Sequence, residues 1–274
     1  MEKNIYNGMC ENEVRIREAF SKGKAFIPFV TAGDPDLETT KEVIFAMEEA
    51  GASLIEIGIP FSDPVAEGPI IQAANERALA AGTTTDRLFD MIKEIREKVA
   101  VPLVFMTYLN PIFTYGTGKF MRKCQEVGIQ GVIVPDLPYE EKEEIERDCE
   151  QYGIVNISLI APTSKERIAM IAKEAKGFLY CVSSLGVTGV RNQIPSSVKE
   201  MVEEVHRNTD IPCAIGFGIA TREQAKEMGE AGDGVIVGSA IVRMVGCEQR
   251  AAARKVKAYV EELVESLREV ETVK

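Results

Sequence analysis

Eight short apolar runs recur along the chain, each followed by a longer segment of helical pattern, and this alternation constrains the fold more than any other feature. The runs are AFIPFV (25–30), SLIEIGI (53–59), VPLVFMTY (101–108), GVIVPD (131–136), NISLIAP (156–162), FLYCVS (178–183), CAIGFG (213–218) and GVIVGSA (234–240). They are almost continuously apolar rather than alternating, as strands covered on both faces of a parallel sheet must be. Antiparallel sandwiches are thereby disfavoured. Gly51, Pro102, Gly128, Gly153, Gly177, Pro212 and Gly232 stand just before strands two to eight, where helices end and the chain turns back.

Eight strand–helix units in 274 residues match the size of a (β/α)8 barrel, which typically needs about 250. The fold class is therefore α/β, a (β/α)8 TIM barrel occupying residues 1–274 as one domain. Its rival, a six-stranded doubly wound sheet, leaves two runs without a place. The preceding CENEVRIREAFSKG is an extra N-terminal helix that would cover the barrel bottom, and RAAARKVKAYVEELVESLREV forms a last amphipathic helix.

Composition removes several function classes. Hydrophobic residues at 45% and charged residues at 27% describe an ordinary globular chain, which excludes disorder. A net charge of −11 repels phosphate backbones and anionic lipid, so neither nucleic acid nor a membrane is an expected partner. No apolar run reaches the roughly 18 residues of a membrane helix, and the first residues carry no signal core, which places the chain in the cytoplasm. The six cysteines are scattered without a CxxC pair, so no metal site is expected. His206, the one histidine, lies in the amphipathic VKEMVEEVHRNTD and reads as a surface residue. Triads that need a histidine lack their central member, and carboxylates must move any protons.

Chemistry in such a barrel sits at the C-terminal strand ends and in the loops after them. Glu56 lies inside the second strand, where desolvation raises a carboxyl pKa towards the range of a general acid or base. The loop after it, GIPFSDPVAEGPIIQ, carries Asp63, a turn or cap residue as much as a catalytic one, and Glu67, which is a catalytic or a solvated acid. Asp34 and Asp136 precede prolines and read as helix caps.

Glycine concentrates in the loops after the last three strands. Gly186, Gly189, Gly216, Gly218 and Gly238, with Thr188 and Ser239, offer bare backbone donors of the kind that cradle phosphate, and Arg191 reads as a solvated loop residue. GFGIAT is a weak dinucleotide fingerprint, because Thr221 takes its last position and it follows the seventh strand. Phe29, Met106, Tyr108, Ile133, Tyr180 and Phe217 end strands as core residues or as the wall of a flat aromatic ligand.

LIEIGIPFSDPVAEGPIIQ, AFIPFVTAGDP, FMTYLNPIF, SSLGVTGVR, IGFGIATREQ and GVIVGSAIV, in this order over about residues 25–245, resemble the alpha subunit of tryptophan synthase. The resemblance implies a (β/α)8 lyase of the carbon–oxygen class. It splits indole-3-glycerol phosphate into indole and glyceraldehyde 3-phosphate within tryptophan biosynthesis. The partner implied is a beta subunit, in an α2β2 complex. Pyridoxal phosphate belongs to that beta subunit, and the alpha chain itself takes no cofactor and no metal.

By motif, Glu56 is the acid that protonates indole C3 and assists removal of the glycerol hydroxyl proton. Glu67 falls where the family has an aspartate that meets the indole N–H, a departure of one methylene. The indole site would be Phe29, Met106, Tyr108, Ile133 and Tyr180; the phosphate site would be Thr188, Gly189, Phe217, Gly218, Gly238 and Ser239. Two other readings stay beside this one. Glu67 weakens the lyase and leaves an assembly subunit that activates the beta chain, or the chain is another phosphate-binding barrel such as an isomerase.

Overall fold

The computed structural model describes residues 8–182, 196–216 and 218–271. Nine parallel strands form its sheet: β1 (Ala25–Thr31), β2 (Ile55–Gly58), β3 (Leu103–Met106), β4 (Gly131–Ile133), β5 (Val155–Ile157), β6 (Leu159–Ile160), β7 (Leu179–Val182), β8 (Cys213–Gly216) and β9 (Gly234–Val237). Their order is β5-β4-β3-β2-β1-β9-β8-β7-β6. The two ends of that order adjoin in sequence across Ser158. The fifth run thus divides its pairing, β5 with β4 and β6 with β7, and the circle closes through the chain itself.

This closure excludes the doubly wound rival. Seven of the eight apolar runs become one strand each, and the fifth becomes two. Except in β1, which continues to Thr31, the ladders end short of the runs, because the last residues leave the sheet to begin the loops at the barrel top.

The strands are buried on both faces, as their near-continuous apolar character requires. Ile27, Val104, Ile133, Val155, Tyr180 and Ile236 meet inside the barrel. Phe26, Ile55, Phe105, Val132, Cys181 and Ile215 pack outward against the helices. Those helices are α1 (Glu11–Glu18), α2 (Leu37–Glu49), α3 (Pro69–Ala80), α4 (Thr85–Ile95), α5 (Leu109–Tyr115), α6 (Thr117–Val127), α7 (Glu143–Tyr152), α8 (Lys165–Glu174), α9 (Ser196–Asn208), α10 (Arg222–Ala231), α11 (Ser239–Glu248) and α12 (Ala252–Glu271).

The expected N-terminal helix is α1. It plugs the barrel bottom: Ile16 is fully buried, and it lies against Gly131 and Gly177 so closely that added Cβ atoms there would come 3.4 and 3.2 Å from it. The last helix, α12, packs along α2 and α10.

Two aspartates behave differently from the capping roles expected of them. Asp36, not Asp34, caps α2, accepting the Thr39 N–H at 2.8 Å. Asp34 is 1% exposed and takes both arms of the Arg77 guanidinium at 2.7 Å. That fork pins α3, and with it the end of the β2 loop, to the turn after β1. Asp136 does cap a helix, but a neighbouring one: its Oδ1 accepts the Leu109 N–H of α5 at 2.9 Å. Neither partner adjoins its aspartate in sequence, so periodicity and cap rules had nothing to detect.

GFGIAT also resolves. Thr221 is the N-cap of α10 and forms a capping box with Gln224, which explains a threonine at that place without any dinucleotide.

Candidate active site

Glu56 lies mid-strand in β2 with its side chain in the barrel interior, beside Phe29 on β1 and Val104 on β3 in the strand register. It is 1% exposed, and its Oε2 has no hydrogen-bond partner among the described residues. A carboxylate in that position loses its hydration and receives nothing in return. Burial, and secondarily the charge of Glu67, push its pKa from 4.5 up to about 8. At neutral pH it therefore carries a proton that it can donate.

Glu67 comes from the far end of the β2 loop, two residues before Pro69 opens α3. Burial raises its pKa, and hydrogen bonds from Asn75 and Tyr108 oppose that rise. The Asn75 amide donates to its Oε2 at 2.6 Å from one side of α3, where Asn75 is 3% exposed. The two acids respond to burial in the same direction, but only Glu67 has donors that favour its anion. Burial thus acts unopposed by hydrogen bonding at Glu56 Oε2 and is opposed at Glu67, which sets the environments of the two acids apart as acid–base chemistry needs.

Tyr108 was expected to wall an aromatic pocket, and its place is more specific. Its phenol oxygen accepts the Ala66 N–H at 3.1 Å, its hydroxyl faces Glu67 and opposes the rise in that carboxyl's pKa, and its ring lies 5.4 Å from Phe61. It is a clamp on the catalytic loop. Removal of the hydroxyl in Tyr108→Phe leaves the ring packing and takes the bond to Ala66 and the dipole facing Glu67; steady-state turnover should fall about tenfold, with little change in thermal stability.

The remaining expected pocket residues converge at the top of the barrel interior. Phe29 packs with Met106, Ile70 and Ile71, while Ile133, Tyr180 and Met106 belong to the interior cluster beneath. Tyr180 sits close enough to Glu56 for that charge to raise its pKa further above an already strong burial effect. Ile133 is fully buried within the barrel interior.

Two glycines make this arrangement possible. A Cβ at Gly58 would stand 2.6 Å from Phe29 Cζ, and one at Gly216 would stand 2.6 Å from the Tyr180 ring. Gly216, expected among the phosphate donors, is thus the seat of an aromatic ring. Gly216→Ala should destabilise the fold by about 1–3 kcal/mol, read as a lower midpoint in urea unfolding, because the rigid ring has no free volume to enter.

On the phosphate side, Gly238 is the N-cap of α11 and Ser239 its first residue, directly after β9. No side chain caps that terminus. Its first N–H groups and the positive end of the helix dipole stand at the top of the barrel, on the same rim as Glu56. Gly218, with φ +73°, occupies the loop after β8 in a backbone conformation that favours glycine. Thr188, Gly189 and Phe217, together with Gly186 and Arg191, lie outside the described residues.

Asn75 is the functional-site residue that the sequence reading missed. Its eight-residue separation from Glu67 becomes contact only because the loop turns directly into α3.

The chain's resemblance to known proteins coincides with this geometry. The family model described as tryptophan synthase alpha chain matches residues 17–272. The tryptophan synthase alpha chain of Lacticaseibacillus casei is 47% identical over 249 residues, covering 91% of this chain and 94% of that one. Its counterpart in Thermoanaerobacter sp. (strain X514) is 48% identical over 246 residues, covering 89% and 94%. Among solved structures, the alpha chain from Legionella pneumophila superposes with a TM-score of 0.83 at 33% identity, covering 93% of this chain and 97% of that one. The tryptophan synthase complex from Pyrococcus furiosus contains a chain with TM-score 0.81 at 37% identity, covering 89% and 98%. With the barrel, the buried strand acid and the loop acid in their places, and relatives matching over nearly the whole length, the chain belongs to the tryptophan synthase alpha chain family.

Proposed function

We propose that the chain cleaves indole-3-glycerol phosphate to indole and glyceraldehyde 3-phosphate by a retro-aldol reaction in which two carboxylates handle all the protons. The observation that carries this reading is Glu56: a fully buried acid at the barrel top, unpaired at Oε2 and protonated up to about pH 8.

Its proton passes to indole C3. The cation that develops at the indole N–H meets the anionic Glu67, held by Asn75 and Tyr108 in a water-poor pocket. The Glu56 carboxylate then takes the proton of the glycerol hydroxyl. As that O–H bond breaks, the carbonyl forms, the bond from indole C3 to the side chain breaks, and its electron pair returns to the ring. Glu56 ends protonated, as it began.

Phe29, Met106 and Tyr180 flank the indole. The phosphate is held by the α11 N-terminus at Gly238 and Ser239 with Gly218, where fixed backbone dipoles offset the chain's net charge of −11. Thr188, Gly189 and Phe217, which the resemblance assigns to the same phosphate site, lie outside the described residues. The well-held Glu67 speaks for a working lyase rather than a subunit that only assembles.

Indole passes to a tryptophan synthase beta subunit in an α2β2 complex, a partnership supported by the likeness to the Pyrococcus furiosus complex. All six cysteines are free thiols, and no described helix is long and apolar enough to cross a membrane, in keeping with a cytoplasmic setting.

The phosphate assignment is tested with glycerol 3-phosphate. A Cβ at Gly238 would meet Phe29 at 3.4 Å, an ordinary contact, so Gly238→Val should fold. Its dissociation constant for glycerol 3-phosphate should rise more than about tenfold, because the side chain blocks approach to the backbone donors. Unchanged binding would move the phosphate elsewhere.

A further inference from the structure

The rim opposite the active site carries a second convergence of ligand-type side chains. His206 stands in the last turn of α9, Cys213 opens β8, and Asp233 immediately precedes β9. The helix-to-strand returns at the barrel bottom bring these three together. His206, expected as a surface residue, is exposed, and its Nε2 lies 2.9 Å from Asp233 Oδ2.

One donor atom from each residue lies within 4.8 Å of the other two. Three atoms so spaced surround a point at most about 2.8 Å from each. Contraction by about 0.5–0.8 Å brings that point to the usual zinc distances of about 2.3 Å to sulfur and 2.0–2.2 Å to nitrogen and oxygen.

Two further features prepare the group for a cation. Asp233 Oδ2 accepts the Cys213 N–H at 2.9 Å, which fixes the carboxylate beside the thiol. The His206 ring and the Cys181 side chain also lie beside the Cys213 sulfur. Lys24 also faces Asp233, but its ammonium group is turned to the Gly232 carbonyl at 2.6 Å.

Asp233 and the Cys213 sulfur push the His206 pKa up to about 10, so a bound cation takes the place of the imidazole proton; held as thiolate, carboxylate and imidazole, the three ligands then offset the charge of a divalent ion. The His206 and Asp233 side chains are 42% and 35% exposed while Cys213 is buried, so the group opens to solvent on one side only. We propose that His206, Cys213 and Asp233 bind one divalent cation of zinc-like chemistry, with water completing a tetrahedral set.

Sulfur and nitrogen ligands select such ions over magnesium or calcium. The three ligands come from separate elements, so the ion would tie α9 to the bottoms of β8 and β9 and stabilise the folded state. This site is remote from Glu56 and independent of the proposed lyase.

The test uses the full chain after chelator treatment, with the exposed Cys10 and Cys247 replaced by serine so that surface thiols do not contribute. One equivalent of Co2+ should give thiolate-to-cobalt charge-transfer absorption and the visible bands of a tetrahedral ion. Zn2+ should abolish both and raise the thermal midpoint. His206→Ala, Cys213→Ser and Asp233→Asn should each weaken Zn2+ binding by at least about tenfold, a loss that even outer-shell groups of metal sites produce.

His206→Ala is the decisive variant, because a half-exposed helix residue can be truncated without unfolding the barrel. Its indole release should stay within about twofold of the parent. Absence of the thiolate band at one equivalent, or Zn2+ affinity unchanged in His206→Ala, overturns the proposal.

Discussion

Glu56→Gln should lower indole release from indole-3-glycerol phosphate by about 100- to 10,000-fold, while the chain still binds glycerol 3-phosphate as before. The amide keeps the side chain's shape and hydrogen-bonding reach but has no acidic proton to give. Retention of more than about a tenth of the parental rate would remove Glu56 from the mechanism. In the parent, kcat/KM should fall above about pH 8, where Glu56 loses its proton.

The same burial leaves a mark on stability that tests the cause independently. The folded pKa of about 8 lies above the ordinary 4.5, so between those values the native state binds a proton that the unfolded chain has lost. Stability from this group is fully present below about pH 4.5 and declines as pH rises through about 8. At about 1.4 kcal/mol per unit, the decline is at most about 5 kcal/mol. Glu56→Gln lacks it, so its unfolding free energy relative to the parent should improve steadily from pH 5 to pH 8. Equal pH slopes in the two proteins would mean that Glu56 is not the desolvated acid described here.

The second large effect is expected at Glu67. Glu67→Ala should reduce indole production by about a hundredfold or more, since no other described carboxylate is placed to meet the indole N–H. Glu67→Asp is the informative variant. The longer side chain reaches the Asn75 amide at 2.6 Å and faces Tyr108, so the pocket is built around glutamate. Shortening it by one methylene withdraws the carboxylate by about 1 Å and should slow the lyase, on a scale of up to about a hundredfold. Acceleration in Glu67→Asp would show instead that Glu67 is a defect in an otherwise ordinary site. Near-full indole release by Glu67→Ala would leave Glu56 as the sole catalytic acid.

Much of this molecule was legible before its structure. Eight doubly covered strands are visible as apolar runs because burial on both faces removes polar residues from a strand altogether, and the glycines before them mark the helix ends. Glu56 stood out because a charged residue inside such a run has no exposed edge on which to be solvated. What escaped were relations between distant residues. The division of the fifth run at Ser158 follows from closing the ring, where one strand must face two neighbours with different registers. Asp34 was drawn from a cap into a buried fork by Arg77, 43 residues away.

The sequence by itself therefore determined the class of fold and marked the buried strand acid Glu56, because periodicity and burial leave local traces. Only the tertiary structure decided how Glu67 is held by Asn75 and Tyr108, which glycines seat rings rather than phosphate, and that His206, Cys213 and Asp233 meet at the barrel bottom. Those are contacts between side chains on separate elements. They depend on how the ring of strands closes, and no local pattern records that.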